Sequence, residues 1–101
     1  MKTYKGKRTE NGCVVKVDGR PLPPRNDLFN HSPDGFQWGY AGSGPAQLAL
    51  AILADARGDE FAVRYHQKFK ARGIAAITGD SFQMSETMID LALQDRAGGE
   101  R

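Results

Sequence analysis

The segment Gly42-Ser43-Gly44-Pro45 is the strongest candidate in this sequence for a small-ligand site. It follows a run of aromatic residues and opens an apolar run typical of a helix, whose first N–H groups are unpaired at the positive end of the helix dipole. Gly42, Ser43 and Gly44 are therefore a candidate site for a nucleotide or another anion. No lysine follows the glycines as it does in a P-loop, and Pro45 removes one donor. The alternative is that the glycines only allow a tight turn and a close approach of a buried helix.

Ser43 does not match the nucleophile elbow G-x-S-x-G, because Ala41 and Pro45 stand where that motif has glycine. The only histidines that could act as a base are His31 and His66, and no spacing brings either of them to Ser43. The sequence therefore predicts no catalytic residue, and we expect a protein that is not an enzyme.

The sequence also predicts no metal and no cofactor. Cys13, His31 and His66 are scattered along the chain and fit no ligand spacing. We interpret His31 and Asp34 as a pair that forms hydrogen bonds within a loop. His66 lies between polar residues of a predicted helix, so we expect it to be partly exposed.

Positive charge is concentrated in two places. Residues 1–25 carry seven lysines and arginines against two acidic residues, which predicts a basic hairpin that could bind nucleic acid. Arg64, Lys68 and Arg72 recur every four residues and form a basic stripe on a predicted helix. Such a stripe is usually a solvated face, and the alternative is a surface that docks on an acidic partner.

The elements that position these residues begin with a hairpin. Val15 and Val17 alternate with polar neighbours, as in a half-buried strand, and Asp18-Gly19 is a favoured two-residue turn. A third strand is predicted at 2–7, and a short return strand follows the turn. Further along, alternating Phe82 and Met84 predict another short strand.

A further strand is predicted at 36–41, where Phe36, Trp38 and Tyr40 alternate with smaller residues. In a strand the three aromatic side chains would point to one face and form a wall of the core. The opposite face carries Gly39, which suggests that another segment packs closely there.

Three helices are predicted, at about 45–57, 60–72 and 86–95. The first is apolar around most of its circumference, which is typical of a central helix packed on more than one side. Together these elements predict a single α+β domain over 1–96, in which a small antiparallel sheet packs against two or three helices. The last residues, 97–101, are glycine-rich and polar and predict a flexible tail.

Composition narrows the setting of the protein. Cys13 is the only cysteine, and the first residues contain no apolar segment of the kind found in signal peptides. The longest apolar run is about half the roughly 20 residues that a membrane-spanning helix needs. We therefore expect a cytoplasmic protein with no membrane partner.

The stretch "SPDGFQWGYAGSGPAQLALAIL" at 32–53 resembles the hallmark of a prokaryotic and viral family, domain of unknown function 6166. The shared pattern is Ser-Pro-x-Gly-Phe-x-Trp-Gly-Tyr-x-Gly-Ser-Gly-Pro-Ala-x-Leu-Ala. The resemblance implies a setting in bacteria, archaea and their phages or plasmids, but it implies no activity. Small proteins in that setting often act by binding, for example as inhibitors of host defence complexes.

These observations lead to one main functional hypothesis and two alternatives. The main hypothesis is a non-enzymatic binding protein that docks on a host protein or complex in the manner of an anti-CRISPR inhibitor, with the stripe of Arg64, Lys68 and Arg72 as its candidate surface. One alternative is a binder of a nucleotide-type anion at Gly42 and its neighbours. The other is a nucleic-acid-binding protein that uses the basic hairpin.

Overall fold

The structure, a computed structural model, describes residues 1–94. Within them, four antiparallel strands form one sheet in the order β3-β2-β1-β4. The strands are β1 (Thr3–Thr9), β2 (Gly12–Val17), β3 (Arg20–Pro21) and β4 (Ser81–Ser85), and the α-helices are α1 (Ser43–Arg57), α2 (Asp59–Phe69) and α3 (Glu86–Leu93). The predicted α+β class is confirmed. The last helix ends at Leu93, two residues before the predicted end at 95, because the backbone of Gln94 is extended. The predicted tail at 97–101 lies outside the described residues.

The amino-terminal strands pair as their sequence predicts. Asp18 and Gly19 have positive φ values of 48° and 83°, as the two-residue turn between β2 and β3 requires. The Asp18 carboxylate also accepts a 2.9 Å hydrogen bond from the N–H of Thr3. At the other end of the hairpin, Thr9 lies opposite Gly12. The two-residue turn at 10–11 therefore sets the register of β1 against β2, and the bond between Thr3 and Asp18 holds the other end of this pair of strands.

The two faces of the sheet have different environments. Tyr4, Val15, Val17 and Met84 are buried on the inner face, where they join one hydrophobic core with the residues of α1. The Tyr4 hydroxyl reaches the helix itself and donates a 2.8 Å hydrogen bond to the carboxylate of Asp55. The outer face carries the alternate residues, which are mostly exposed.

Gly6, in the middle of β1, makes room for an aromatic ring of the neighbouring strand. It lies directly opposite Phe82 of β4, and a Cβ atom at position 6 would overlap the Phe82 ring. The same ring meets the Trp38 ring edge to face, with centroids 4.9 Å apart. The missing side chain at position 6 therefore lets Phe82 reach Trp38 across the inner face.

Helix α1 is the central element, as predicted. Every residue from Gly44 to Ala54 is buried, and Pro45 lies in the first turn, where its fixed φ suits a helix. The helix begins two residues before the predicted start and ends at Arg57 as predicted. Gly58 follows with a φ of 92°, a conformation that favours glycine.

The predicted extent of the second helix, 60–72, is wrong at its carboxyl end. The α-helix ends at Phe69 and continues as a π-helical turn, Lys70–Ile74. Both Phe69 and Ile74 are fully buried. Residues five apart face different sides of an α-helix, so the wider turn is what places both side chains in the core.

The predicted aromatic strand at 36–41 is also wrong, because these residues form no strand. Gly39 has a φ of 88°, which breaks the alternation of side chains. As a result Phe36 and Trp38 are buried, whereas the Tyr40 side chain is 51% exposed. The N–H of Gly39 donates to the carbonyl of Ile74, so the backbone of this segment pairs with the π-helical turn and not with a strand of the sheet.

Candidate functional site

Three lysines lie together on the outer face of the sheet. Lys5 and Lys7 are two residues apart on β1, and Lys16 lies directly opposite Lys5 on β2. Val14, opposite Lys7, is 46% exposed between them. We call this surface, made of Lys5, Lys7, Val14 and Lys16, the lysine face.

The lysine face brings like charges together. Cβ atoms of directly opposite residues in an antiparallel pair are about 5 Å apart, and like charges there are destabilising. Among residues 1–94, neither Lys5 nor Lys16 takes part in an ion pair. The one acidic residue on this surface, Asp18, already accepts the N–H of Thr3. The face is therefore a cationic surface whose own charges do not neutralise it.

The surface around the lysines is a groove of about 770 Å³. Its polar lining is rich in hydrogen-bonding side chains, namely those of Thr3, Thr9, Ser81 and Gln83. The aromatic residue that lines it, Phe82, has its ring on the inner face. The groove can therefore offer a partner the positive charge of the lysines, hydroxyl and amide groups, and a small apolar centre formed by Val14.

Three other basic residues of the amino-terminal quarter, Lys2, Arg8 and Arg25, have structural partners. The Lys2 ammonium lies 3.2 Å from the Asp55 carboxylate, and the Arg25 guanidinium lies 2.9 Å from that of Asp59. The Arg25 guanidinium holds the pKa of Asp59 below its usual range. These cations are paired with carboxylates of the protein itself. The net charge counted over residues 1–25 is therefore larger than the positive charge that is available to a partner.

Arg8 links three segments of the chain. Its guanidinium donates to the carbonyl oxygens of Trp38 and Gly79, each at 2.7 Å, and lies 3.3 Å from the Asp80 carboxylate. It also lies 4.7 Å from the centre of the Trp38 ring, within the range of a cation–π contact. Arg8 is thus a structural cation and not part of the lysine face.

A second polar cluster fixes the end of β1 against the helices. The Arg57 guanidinium lies between the carboxylates of Glu86 (2.6 Å) and Asp90 (2.8 Å). The backbone N–H of Lys2 also donates to Glu86, and this bond together with Arg57 lowers the pKa of Glu86. Burial and the neighbouring Asp55 carboxylate raise the pKa of the Tyr4 phenol. Each carboxylate is held by a cation or a donor, which is typical of a structural clamp.

The glycine segment lies at the amino terminus of α1, where the sequence places it. Ser43 is exposed, but Gly44 is buried and its Cα faces Gln37 so closely that a Cβ atom would clash with that side chain. Gly42 precedes the helix in an extended conformation. Anion binding at Gly42, Ser43 and Gly44 stays a prediction, and the close approach explains why position 44 is a glycine.

The members of the predicted basic stripe have different neighbours. Arg64 lines a shallow depression on α2 together with Asp59 and Glu60. Arg72 lies in the π-helical turn, where its guanidinium donates to the carbonyl of Gln94 at 3.4 Å. Lys68, half-buried between them, also has an interaction partner. The use of this stripe by a partner stays a prediction.

The structure pairs the two histidines, which sequence reasoning missed. Their Nε2 atoms are 2.8 Å apart, and the ring of Phe29 stacks on His31 with centroids 4.1 Å apart. Nδ1 of His66 faces the carbonyl oxygens of Ala62 (2.9 Å) and Val63 (3.0 Å), so it carries the hydrogen. Nε2 of His66 therefore accepts a hydrogen bond from the Nε2–H of His31.

The expected partial exposure of His66 is wrong, because the side chain is buried. His66 lies one helical turn after Ala62 and one before Phe69, so all three share the buried side of α2. The spacing of His66 from Ala62 and Phe69 is the sequence signal that could have predicted its burial. The expected loop contact of His31 with Asp34 is not formed within the described residues, and His31 instead connects its loop to α2.

We expect the free energy of unfolding to fall between pH 7 and pH 5.5. Burial lowers the pKa of His31, and the nearby His66 and Lys70 lower it further. The folded protein thus binds this proton less readily than the unfolded chain, whose histidines titrate at about pH 6.5. The stabilisation is complete above that value and decreases as pH falls through it. Urea titrations at several pH values should show this decrease in the wild type and a smaller one in His31→Gln; equal decreases would assign the effect to another group.

Within residues 1–94, no three histidine, cysteine or acidic side chains are arranged to hold a metal ion. None of the described helices has both the length and the hydrophobicity that a membrane span requires.

The fold and this surface define a small α+β domain with a cationic sheet face. The chain belongs to a family of unknown function, DUF6166, which matches residues 4–95. This match confirms the family that the glycine- and aromatic-rich motif indicates. No curated protein and no solved structure matches the chain significantly.

Proposed function

We propose that the protein is a non-enzymatic binding protein whose lysine face docks on an acidic surface of another protein. The observation that carries this proposal is the position of Lys5 directly opposite Lys16, with no acidic side chain of residues 1–94 in an ion pair with either lysine. A sequence that keeps a locally unfavourable arrangement usually does so for function. An acidic partner would relieve the repulsion when it binds.

The composition of the face favours a protein over a single-stranded nucleic acid. Platforms for single strands stack bases on aromatic side chains, and Lys5, Lys7, Val14 and Lys16 include none. Val14 at the centre with charged residues around it follows the pattern of protein interfaces, which have an apolar centre and a polar rim. In the prokaryotic or phage setting that the family resemblance implies, the partner would be a host protein, and a host defence complex would suit an inhibitor of this size.

The single substitution Lys16→Glu separates binding from folding. It replaces a repulsive cross-strand pair with an attractive one, so we expect the free energy of unfolding to rise by about 0.2–1 kcal/mol. At the same time we expect docking to weaken and to lose part of its dependence on salt. Urea denaturation measures the first effect, and titration of the purified partner measures the second. A variant that is less stable or binds as well as the wild type would contradict the proposal.

Two triple variants test which surface is used. The first reverses the charges of Lys5, Lys7 and Lys16 and should abolish capture of the partner from host lysate. The matched control reverses Arg64, Lys68 and Arg72, which changes the net charge equally and should leave capture intact. If only the control variant loses the partner, the basic stripe is the docking surface. Tight, salt-dependent binding of the wild type to duplex DNA would instead favour the nucleic-acid alternative.

A further inference from the structure

Within residues 1–94, strand β4 pairs with another strand along only one of its two backbone edges. The strand order places β3 at one edge of the sheet and β4 at the other. β3 has only two residues and ends in Pro21, which cannot donate to a ladder. β4 has five residues, Ser81–Ser85, and no proline. The β4 edge is therefore the one that could accept a further strand.

The hydrogen bonds of β1 identify the backbone groups that face outward. The N–H of Arg8 donates to the carbonyl of Asp80. The backbone N–H and C=O groups of every second residue of β1, namely Tyr4, Gly6 and Arg8, therefore point toward β4. Their partners in β4 are Phe82 and Met84, whose backbone groups point back toward β1. The N–H and C=O groups of Ser81, Gln83 and Ser85 then point away from the sheet. No strand among the described residues pairs with them.

A groove of about 540 Å³ runs along this open edge. All four residues from 81 to 84 line it, although their side chains alternate between the two faces, so the groove follows the strand backbone. Its far wall is mostly apolar, with Ile77, Met88 and Leu91, and it also includes Arg72 and Thr78. Met88 is 51% and Leu91 60% exposed, which leaves apolar surface beside unpaired backbone groups.

We propose that β4 pairs with β4 of a second copy of this chain, so that two sheets join into one across a two-fold axis at Gln83. The sequence Ser-Phe-Gln-Met-Ser has the same pattern in both directions: serine, apolar, glutamine, apolar, serine. In antiparallel pairing about Gln83, Ser81 of one copy lies opposite Ser85 of the other, and Phe82 opposite Met84. A self-complementary surface is what a two-fold interface requires.

The absence of charge on β4 supports the same conclusion. Exposed edge strands are usually protected by charged side chains, proline or bulges, and β4 has no charged residue or proline. Binding of a peptide from another protein would not require the symmetric pattern of β4, whereas pairing with a second copy does.

Pairing of this kind keeps the two lysine faces well apart. The two-fold axis would be perpendicular to the sheet, so both lysine faces would lie on the same side. Lys5 of the two copies would be three strand spacings apart, about 14 Å. This exceeds the Debye length of about 8 Å at physiological ionic strength, so their repulsion is largely screened.

Substitutions at Gln83 test the pairing. In Gln83→Glu two carboxylates meet at the two-fold axis, while within each copy the new carboxylate lies opposite Lys5, which favours the folded monomer. We expect sedimentation equilibrium to show a dimer for the wild type and a dimer weakened by about tenfold or more for Gln83→Glu. Gln67→Glu, the same change on an exposed position of α2, should leave the dimer unchanged.

Mixing provides the decisive result. Gln83→Glu combined with Gln83→Lys should form a mixed dimer, because opposite charges then meet at the axis, and fluorescent labels on the two variants should report it. A wild-type protein that stays monomeric overturns the proposal, whether another segment of this chain or a different protein covers the edge. A dimer that Gln83→Glu does not weaken also overturns it, because the copies would then meet elsewhere.

Discussion

Trp38→Ala is expected to lower the free energy of unfolding by about 3–5 kcal/mol. The side chain is 0% exposed, and its ring contacts Phe82 edge to face and the Arg8 guanidinium at 4.7 Å. Its indole N–H also donates to the carbonyl of Gly79 at 3.1 Å. Removing it would leave a large cavity and would deprive Gly79 and Arg8 of a partner. Since a domain of this size has a total stability of about 5–15 kcal/mol, the loss is a large share of it.

Far-UV circular dichroism during urea denaturation is the suitable measurement, because Trp38 is the only tryptophan and its fluorescence is lost in the variant. Tyr40→Ala is the matched control. If 36–41 formed a strand, both side chains would lie on the core face and both truncations would be severe. Because Tyr40 is half-exposed, we expect it to cost about 1 kcal/mol or less. Equal losses in the two variants would contradict the described path of the chain.

Gln47→Leu is expected to lower the free energy of unfolding by about 2–4 kcal/mol although it keeps nearly the same volume. Gln47 is fully buried in α1, and its side-chain oxygen accepts the N–H groups of His31 (2.8 Å) and Ser32 (3.2 Å). Its amide nitrogen donates to the carbonyl of Pro24 at 2.6 Å. Leucine would leave three partly buried backbone groups without these partners. A fully buried group without a partner costs about 1–3 kcal/mol, and partial access to water lowers that cost for each of the three.

Urea denaturation measures this loss, and amide hydrogen exchange locates it. Exchange at His31 and Ser32 should accelerate most, because their N–H groups lose their acceptor. Gln67→Leu makes the same chemical change on the exposed side of α2 and should have little effect. A loss below about 1 kcal/mol for Gln47→Leu would mean that water replaces the missing hydrogen bonds.

The parts of the fold that follow from short-range signals could be predicted from sequence. The Asp18-Gly19 turn, the alternation of Val15 and Val17, and the apolar helix opened by Pro45 all have local physical causes, and each is found in the structure. The predicted strand at 36–41 was wrong because the path of this segment depends on two features that are not local in the sequence pattern. They are a positive φ at Gly39 and a hydrogen bond from Gly39 to Ile74, 35 positions further along the chain. Alternation of residue types alone does not reveal either.

The lysine face could be predicted from the sequence only in part. The sequence indicated a basic hairpin but not which cations have partners, since those partners lie in distant segments. The register, however, follows from the two-residue turn that places Thr9 opposite Gly12, and this turn sets Lys5 opposite Lys16. The histidine pair required knowledge of how the loop before α1 crosses α2, which no local pattern contains.

The contact between Gly6 and Phe82 has a consequence for how this family can change over evolution. The two positions share one space on the inner face, because the ring fills the volume that a side chain at position 6 would need. Any residue larger than glycine at position 6 would displace the ring from Trp38 unless position 82 became smaller at the same time. Selection therefore acts on positions 6 and 82 as a pair, so relatives should either keep both residues or exchange both.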